Sequence, residues 1–307
     1  MSVPTSRLMV FLCFRRFIWA ARLCNPNKKR TMDRVLVLVF SKDRPLQLHG
    51  CLTSLFHHLR HPPEQTVHVS VLTRGCSKEY VQVRKAFGTV TFVEEHDFHK
   101  DVRRLLSNPF YHFVSFVVDD TVFVRPFDLG EITRALHQYK KALGFSLRLG
   151  SNTTFCYMLQ QHHRCHLLTE SDTESDTVRR WDWTKSTGDF AYPVELSSSV
   201  YRWSDVHLLL SRISAFVNPS TLESALDAFI QRAQHPKVEL LSFPTSVAFS
   251  IPMNLTQTSW QNRHSGLPAY SMRALLKRFQ NGQRMDVKQL YGYIPESCHE
   301  VVPFGFI

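Results

Sequence analysis

The chain has 307 residues, 43% hydrophobic and 21% charged, which suits one large α/β domain or two small ones with a real core. Its net charge of +11 raises nucleic acid as a partner, but seven of those charges stand in residues 1–32, which hold no acid, leaving +4 for the rest. A mildly basic body suits anionic small substrates such as nucleoside diphosphates, and nucleic acid is not expected. The seven cysteines are odd in number and form no CxxC pair, which argues against a disulfide framework or a structural zinc site. There is no low-complexity stretch and no internal repeat.

Residues 1–31 read as a basic N-terminal extension. The apolar run at 8–23 is interrupted by Arg15 and Arg16, each costing roughly 2.5–3.5 kcal/mol at the centre of a spanning helix. The run is also shorter than the ~20 residues a span needs. This favours a cytoplasmic protein and leaves open a membrane anchor or an organelle-targeting leader. Met32 stands just before the first convincing strand, so the extension is expected to be dispensable for folding.

From Asp33 the pattern is regular. Val35–Phe40 is a continuous apolar, β-branched run, as in a strand buried on both faces. The polar loop Ser41-Lys42-Asp43-Arg44-Pro45 follows, then a helix over 46–59 that Pro62-Pro63 stops. Strand two is Val67–Leu72, ending at Thr73-Arg74-Gly75, with a helix at 78–87. Strand three is Val90–Val93, with a helix at 98–106. Strand four is Phe113–Val118, and it runs directly into Asp119-Asp120. This alternation predicts a mostly parallel open sheet flanked by helices, with ligands at the carboxyl ends of the strands.

Beyond residue 130 the pattern loosens. A helix is predicted over 131–143 and a strand over 145–149. A polar stretch follows at 162–180, within which 169–177 reads as a solvated loop. An aromatic, irregular segment spans 181–201, helices follow near 204–213 and 221–234, and short elements fill 246–307. The division is thus a regular strand–helix half, 32–130, and an irregular half, 131–307.

The chemistry centres on Asp119-Asp120. Two carboxylates at the end of a buried strand repel each other unless a cation or a basic ligand neutralises them. Mg²⁺ or Mn²⁺, held by one or two carboxylates and by substrate phosphates, would do so. The alternative is a solvated turn with one Asp capping an amide. Lys100 and Arg104 share a helix face and are placed to reach a diphosphate, or form an exposed basic face.

The strand-one segment ending in Ser-Lys-Asp-Arg-Pro, the Thr-Arg-Gly end of strand two and the run Phe-Val-Val-Asp-Asp-Thr-Val-Phe resemble glycosyltransferases of the GT-A fold. The chain is most similar to family-2-like nucleotide-diphospho-sugar transferases, clearly over 33–130 and more loosely over 181–226. The resemblance implies a nucleoside pocket lined by Ser41, Lys42, Asp43 and Arg44 and flanked by Thr73 and Arg74. It also implies a metal site at Asp119 and Asp120, with Asp120 the likelier direct ligand; His299, near the C-terminus, reads as a third metal ligand, a cover over the site or an ordinary surface residue. The donor would be a nucleotide-diphosphate sugar, and the acceptor an unknown glycan, lipid or protein.

An inverting transfer needs a carboxylate base. Asp189 comes first and Asp205 second, with Glu195 a further candidate. Glu223 reads instead as part of a capping box, Ser220-x-x-Glu223. Ser197-Ser198-Ser199 stands where relatives tend to carry an acid, which keeps a catalytically silent nucleotide-sugar-binding relative as the alternative. The aromatics Trp181, Trp183, Phe190, Tyr192, Tyr201 and Trp203 form either a sugar platform or core. A sugar nucleotidyltransferase ranks low because the strand-one loop lacks glycine, and no P-loop occurs.

Overall fold

The computed structural model describes residues 33–168, 177–233 and 235–307. The expectations for residues 1–32 and for the loop at 169–176 lie outside these. Residues 32–307 group as one compact unit. At its centre is an eight-stranded sheet: β1 (Arg34–Lys42), β2 (Thr66–Arg74), β3 (Thr91–Glu94), β4 (Phe113–Val118), β5 (Ala142–Ser146), β6 (Arg179–Asp182), β7 (Ser199–Arg202) and β8 (Glu239–Ser242). The spatial order is β6-β8-β5-β7-β4-β1-β2-β3.

Strands β1 to β5 and β8 run in one direction, while β6 and β7 run against them. The fold is therefore the expected mostly parallel α/β sheet. Two antiparallel strands are what the sequence left undetermined. Their effect is specific: β7 begins at the edge where the parallel strands end, so the loop before it, 194–198, joins the loops after β1, β2, β4 and β5.

Burial on both faces makes β1 continuous rather than alternating. Val35, Val37 and Val39 feed one core with α1 (Pro45–His58), α2 (Ser77–Ala86) and α4 (Leu129–Gln138). Leu36, Leu38 and Phe40 feed the other core, with α3 (Phe98–Leu106), α5 (Trp203–Arg212) and α6 (Pro219–Arg232). Each fully buried Val or Leu here contributes roughly 1.5–3 kcal/mol.

The predicted helix over 131–143 is shorter and earlier. It starts behind Asp128, whose side chain accepts from the Gly130 amide, and ends at Gln138. The chain then turns at Tyr139–Lys141, and Ala142 enters β5, three residues before the predicted strand start. The start of α6 also differs. Asn218 is the N-cap and exchanges hydrogen bonds with Thr221, with Pro219 in the first turn. Glu223 is thereby released from capping. Trp181, Trp183, Phe190 and Tyr201 are core residues, and Trp203 stacks on His207. Of the six aromatics only Tyr192 and Tyr201 reach the cavity described next.

Candidate active site

A cavity of about 700 Å³ opens along the carboxyl edge of the sheet, a volume typical of small-molecule sites. One wall is the loop after β1 and the turn after β4. Asp119 is buried; its two oxygens take hydrogen bonds from Ser41 Oγ at 2.8 Å and Arg44 Nη1 at 2.9 Å. The same Arg44 nitrogen lies 3.2 Å from Asp120 Oδ2. Arg44 Nε donates to Asn254 Oδ1 at 2.9 Å and Nη2 to the Asn254 carbonyl. The cation that the paired carboxylates demand is thus supplied, at least in part, by the chain itself. Burial works against the Arg44 charge, but Asp119 and Asp120 outweigh it and raise its pKa. Burial pushes the Asp119 carboxyl up to about 6, with Arg44 opposing and Asp120 adding.

The other wall is built on Arg148, just past β5. Arg148 Nε donates to Glu195 Oε2 at 3.0 Å, and Nη2 donates to the same oxygen. The other Glu195 oxygen accepts from Ser199 at 2.6 Å and Ser146 at 3.2 Å. Arg148 Nη1 reaches Ser250 Oγ and His299 Nε2, each at 3.1 Å. Since an arginine only donates, His299 Nε2 accepts and its proton sits on Nδ1. Burial and then Arg148 hold the ring far below its ordinary pKa.

Glu223 stands apart from both arginines. Its Oε1 accepts from the Leu196 amide at 2.9 Å, its other oxygen has no hydrogen-bond partner among the described residues, and it lines the cavity. Burial pushes it up to about 7, with Leu196 opposing and Glu195 adding. Asp189 also lines the cavity, beside Cys156 at 3.4 Å.

Of the residues singled out from sequence, Ser41, Lys42, Arg44, Arg74, Asp119, Asp120, Asp189 and His299 line this one cavity. Lys42 Nζ bonds the Thr256 carbonyl at 3.1 Å, and Arg74 pairs with Glu95 at 2.9 Å. Five others do not line it. Asp43, in a left-handed turn (φ 56°), packs against Gly75. Thr73 is buried and bonds the Val93 carbonyl. Lys100 and Arg104 point to solvent and pair with Asp97, the N-cap of α3, and with Asp101 in its first turn. Asp205 sits in the first turn of α5, paired with Arg202 at 3.2 Å and Lys237 at 2.5 Å. Sequence reasoning passed over Arg148, whose signal was a lone charge inside the apolar run 145–149. It also passed over Asn254, whose amide nitrogen is engaged by the Tyr270 carbonyl at 2.7 Å.

A divalent metal fits part of this set. Both Asp119 oxygens are engaged, and His299 offers no free lone pair while Arg148 donates to Nε2. Asp120, bonded through one oxygen only, is the residue that remains able to hold Mg²⁺ or Mn²⁺ together with substrate phosphates.

Fold and site define an α/β protein with a ligand cavity where the parallel strands end. The sequence matches no family model. It is 27% identical over 199 residues to the bifunctional glycosyltransferase pgtA of Dictyostelium discoideum, which covers 58% of this chain. The chain spans only 25% of that relative's length. Among solved structures, CMP:2-keto-3-deoxy-manno-octonic acid synthetase complexed with CTP aligns over 69% of this chain and 89% of its own (TM-score 0.40, 12% identity). The 4-diphosphocytidyl-2C-methyl-D-erythritol synthase of Anaerococcus prevotii aligns over 70% and 89% (TM-score 0.37, 12% identity). Likeness at that level carries no functional argument. The sequence relative agrees with the resemblance to nucleotide-diphospho-sugar transferases. No described helix is long and apolar enough to cross a membrane.

Proposed function

We propose that this protein transfers a sugar from a nucleoside-diphosphate donor to a hydroxyl acceptor. The observation that supports this most is the convergence of the Ser41–Arg44 loop and the Asp119-Asp120 turn on one cavity wall, with an unpaired carboxylate, Glu223, lining the same cavity. Ser41, Lys42 and Arg74 would hold the nucleotide. A metal at Asp120, when bound, would stabilise charge on the departing diphosphate.

In a direct displacement the acceptor oxygen bonds the anomeric carbon as the bond from that carbon to the diphosphate oxygen breaks. The acceptor proton passes to Glu223. Its pKa near 7 suits a general base at neutral pH better than an ordinary carboxylate. Glu195 is less suited, since Arg148 and two hydroxyls already use both its oxygens.

Arg44 between the two aspartates supports a second reading, a protein that binds a nucleotide sugar without turnover. A panel of nucleotide sugars, read by melting temperature and by release of nucleoside diphosphate with and without Mn²⁺, tests both. Binding without release favours the silent reading; no binding to any member overturns both.

A further inference from the structure

Cys156 and Asp189 line the cavity and, with His163 beside them, form a third constellation that hydrogen-bonds to neither arginine. Cys156 and His163 stand at the two ends of a short hairpin, in which Phe155–Cys156 pairs antiparallel with Gln161–His162. Asp189 comes from the 3₁₀ turn Gly188–Ala191. Cys156 Sγ, a His163 ring nitrogen and an Asp189 carboxylate oxygen all lie within 4.8 Å of one another. Cys156 Sγ is 3.4 Å from Asp189 Oδ1, and His163 Nδ1 is 3.9 Å from Oδ2.

Three further features fit a built site. The His163 Nε2 is 2.9 Å from the Thr153 carbonyl, so that nitrogen carries the proton and the lone pair is on Nδ1, towards Asp189. An outer-shell carbonyl on the far nitrogen is how metal-ligating histidines are usually oriented. Asp189 Oδ2 is buried with no hydrogen-bond partner among the described residues, which costs free energy unless something binds it. And Gly188, at φ +59°, lets the histidine come close: a Cβ there would lie 2.7 Å from His163 Cβ and 2.8 Å from Nδ1.

We propose that Cys156, His163 and Asp189 bind a Zn²⁺ ion, with the fourth position facing the cavity. Zinc–ligand bonds of about 2.0–2.3 Å in a tetrahedron put neighbouring ligand atoms about 3.3–3.6 Å apart. The group needs to close by about 1.5 Å at most. The contact to be given up is the Asp189 amide to Nδ1, at 3.3 Å already long. The thiol proton leaves to solvent, and thiolate plus carboxylate balance the dication. With three protein ligands and an open position, the ion has the coordination of a reactive rather than a closed structural zinc. The absence of a CxxC pair misleads here, because the ligands come from a hairpin and a distant turn.

The test uses the full chain, freed of metal by a chelator. Zn²⁺ titration is expected to show one site per chain with a Kd below about 1 µM. Co²⁺ in its place is expected to give a thiolate-to-cobalt charge-transfer band and the intense visible bands of a four-coordinate ion. Cys156→Ser should abolish the charge-transfer band and weaken Zn²⁺ at least about 100-fold, and Asp189→Asn at least about 10-fold. The metal-free melting temperature of each variant checks that it folds; if Cys156→Ser does not fold, His163→Gln takes its place. No zinc binding tighter than about 10 µM by the wild-type chain, or binding that Cys156→Ser leaves intact, overturns the proposal. So does binding that is lost only in Asp120→Asn.

Discussion

Arg44 and Arg148 are both buried, and both neutralise carboxylates on a wall of the same cavity. Arg44 is divided between two carboxylates and Asn254, leaving one negative charge in excess. Arg148 is committed to one carboxylate, so its cluster is balanced. The first wall therefore retains affinity for a cation, and the second is closed. Charge count, more than the presence of acidic residues, separates a binding wall from a shaping wall.

Removing each arginine should expose that difference. Arg148→Met leaves Glu195 buried without its partner, a loss of about 3–5 kcal/mol, or a melting temperature lower by on the order of 10 °C. Adding Glu195→Gln should recover at least half of it. Arg44→Met should also melt low without metal, but Mn²⁺ should restore much of the loss by taking the place of the guanidinium. If Mn²⁺ rescues both variants or neither, the two walls do not differ as argued.

The first wall was legible in the sequence because its parts lie where regular elements end. Long apolar runs mark β1, β2 and β4, and the residues just past them form the site. The second wall was not. The strand that orders it, β7, is four residues long and antiparallel, and its partners come from 148, 195 and 299, which no local spacing connects. Glu223 shows a further limit. Ser-x-x-Glu is a genuine capping signature, but Asn218 with Thr221 caps the helix two residues earlier, so Glu223 has no capping role and lines the cavity instead. Asp205 was chosen by residue type alone; Arg202, one turn away, is a partner that helical spacing could have offered, but Lys237 lies 32 residues on, where periodicity does not link them.

Glu223→Gln is expected to lower transfer about 10²–10⁴-fold if this carboxylate is the base. The wild-type rate should rise with pH to a plateau just above pH 7, the value to which burial raises the group. Stability should move the other way. Because the folded protein holds this proton more tightly than the unfolded chain does, Glu223 contributes stability below the ordinary glutamate pKa. That contribution is lost as pH rises through about 7. Glu223→Gln should therefore melt higher than wild type at pH 8, by roughly 2–4 °C, and no higher at pH 4. A variant that loses activity and also melts lower at pH 8 would make Glu223 a structural residue.

Within the first wall the two aspartates should separate. Asp119→Asn disturbs a buried group with both oxygens bonded and should cost about 1–3 kcal/mol. Asp120→Asn relieves the excess charge, so metal-free stability should stay within about 1 kcal/mol of wild type. Its Mn²⁺-dependent affinity for a nucleotide sugar should fall at least about 10-fold, since Asp120 is the carboxylate left for the metal. Isothermal titration with and without Mn²⁺ reads the second effect, and equal losses in both conditions would count against a metal at Asp120.

The smallest effect is expected on α3. Lys100 and Arg104 have side chains 81% and 62% exposed, and their partners Asp97 and Asp101 lie one turn away. Exposed pairs of this kind are screened by solvent and contribute little, and neither residue lines the cavity. Lys100→Ala and Arg104→Ala should leave nucleotide-sugar affinity within about twofold, whereas Lys42→Ala, from a residue that does line it, should lower affinity about 10-fold, the loss of one charge-assisted contact. Arg103 on the same helix supplies the internal contrast. Its guanidinium donates to the Leu210 and Ile213 carbonyls at 3.0 and 2.7 Å, satisfying the end of α5. Arg103→Ala should therefore lower the melting temperature while leaving affinity alone. An affinity loss at Lys100 as large as at Lys42 would mean that α3 approaches the bound diphosphate and that the cavity changes shape when the donor enters.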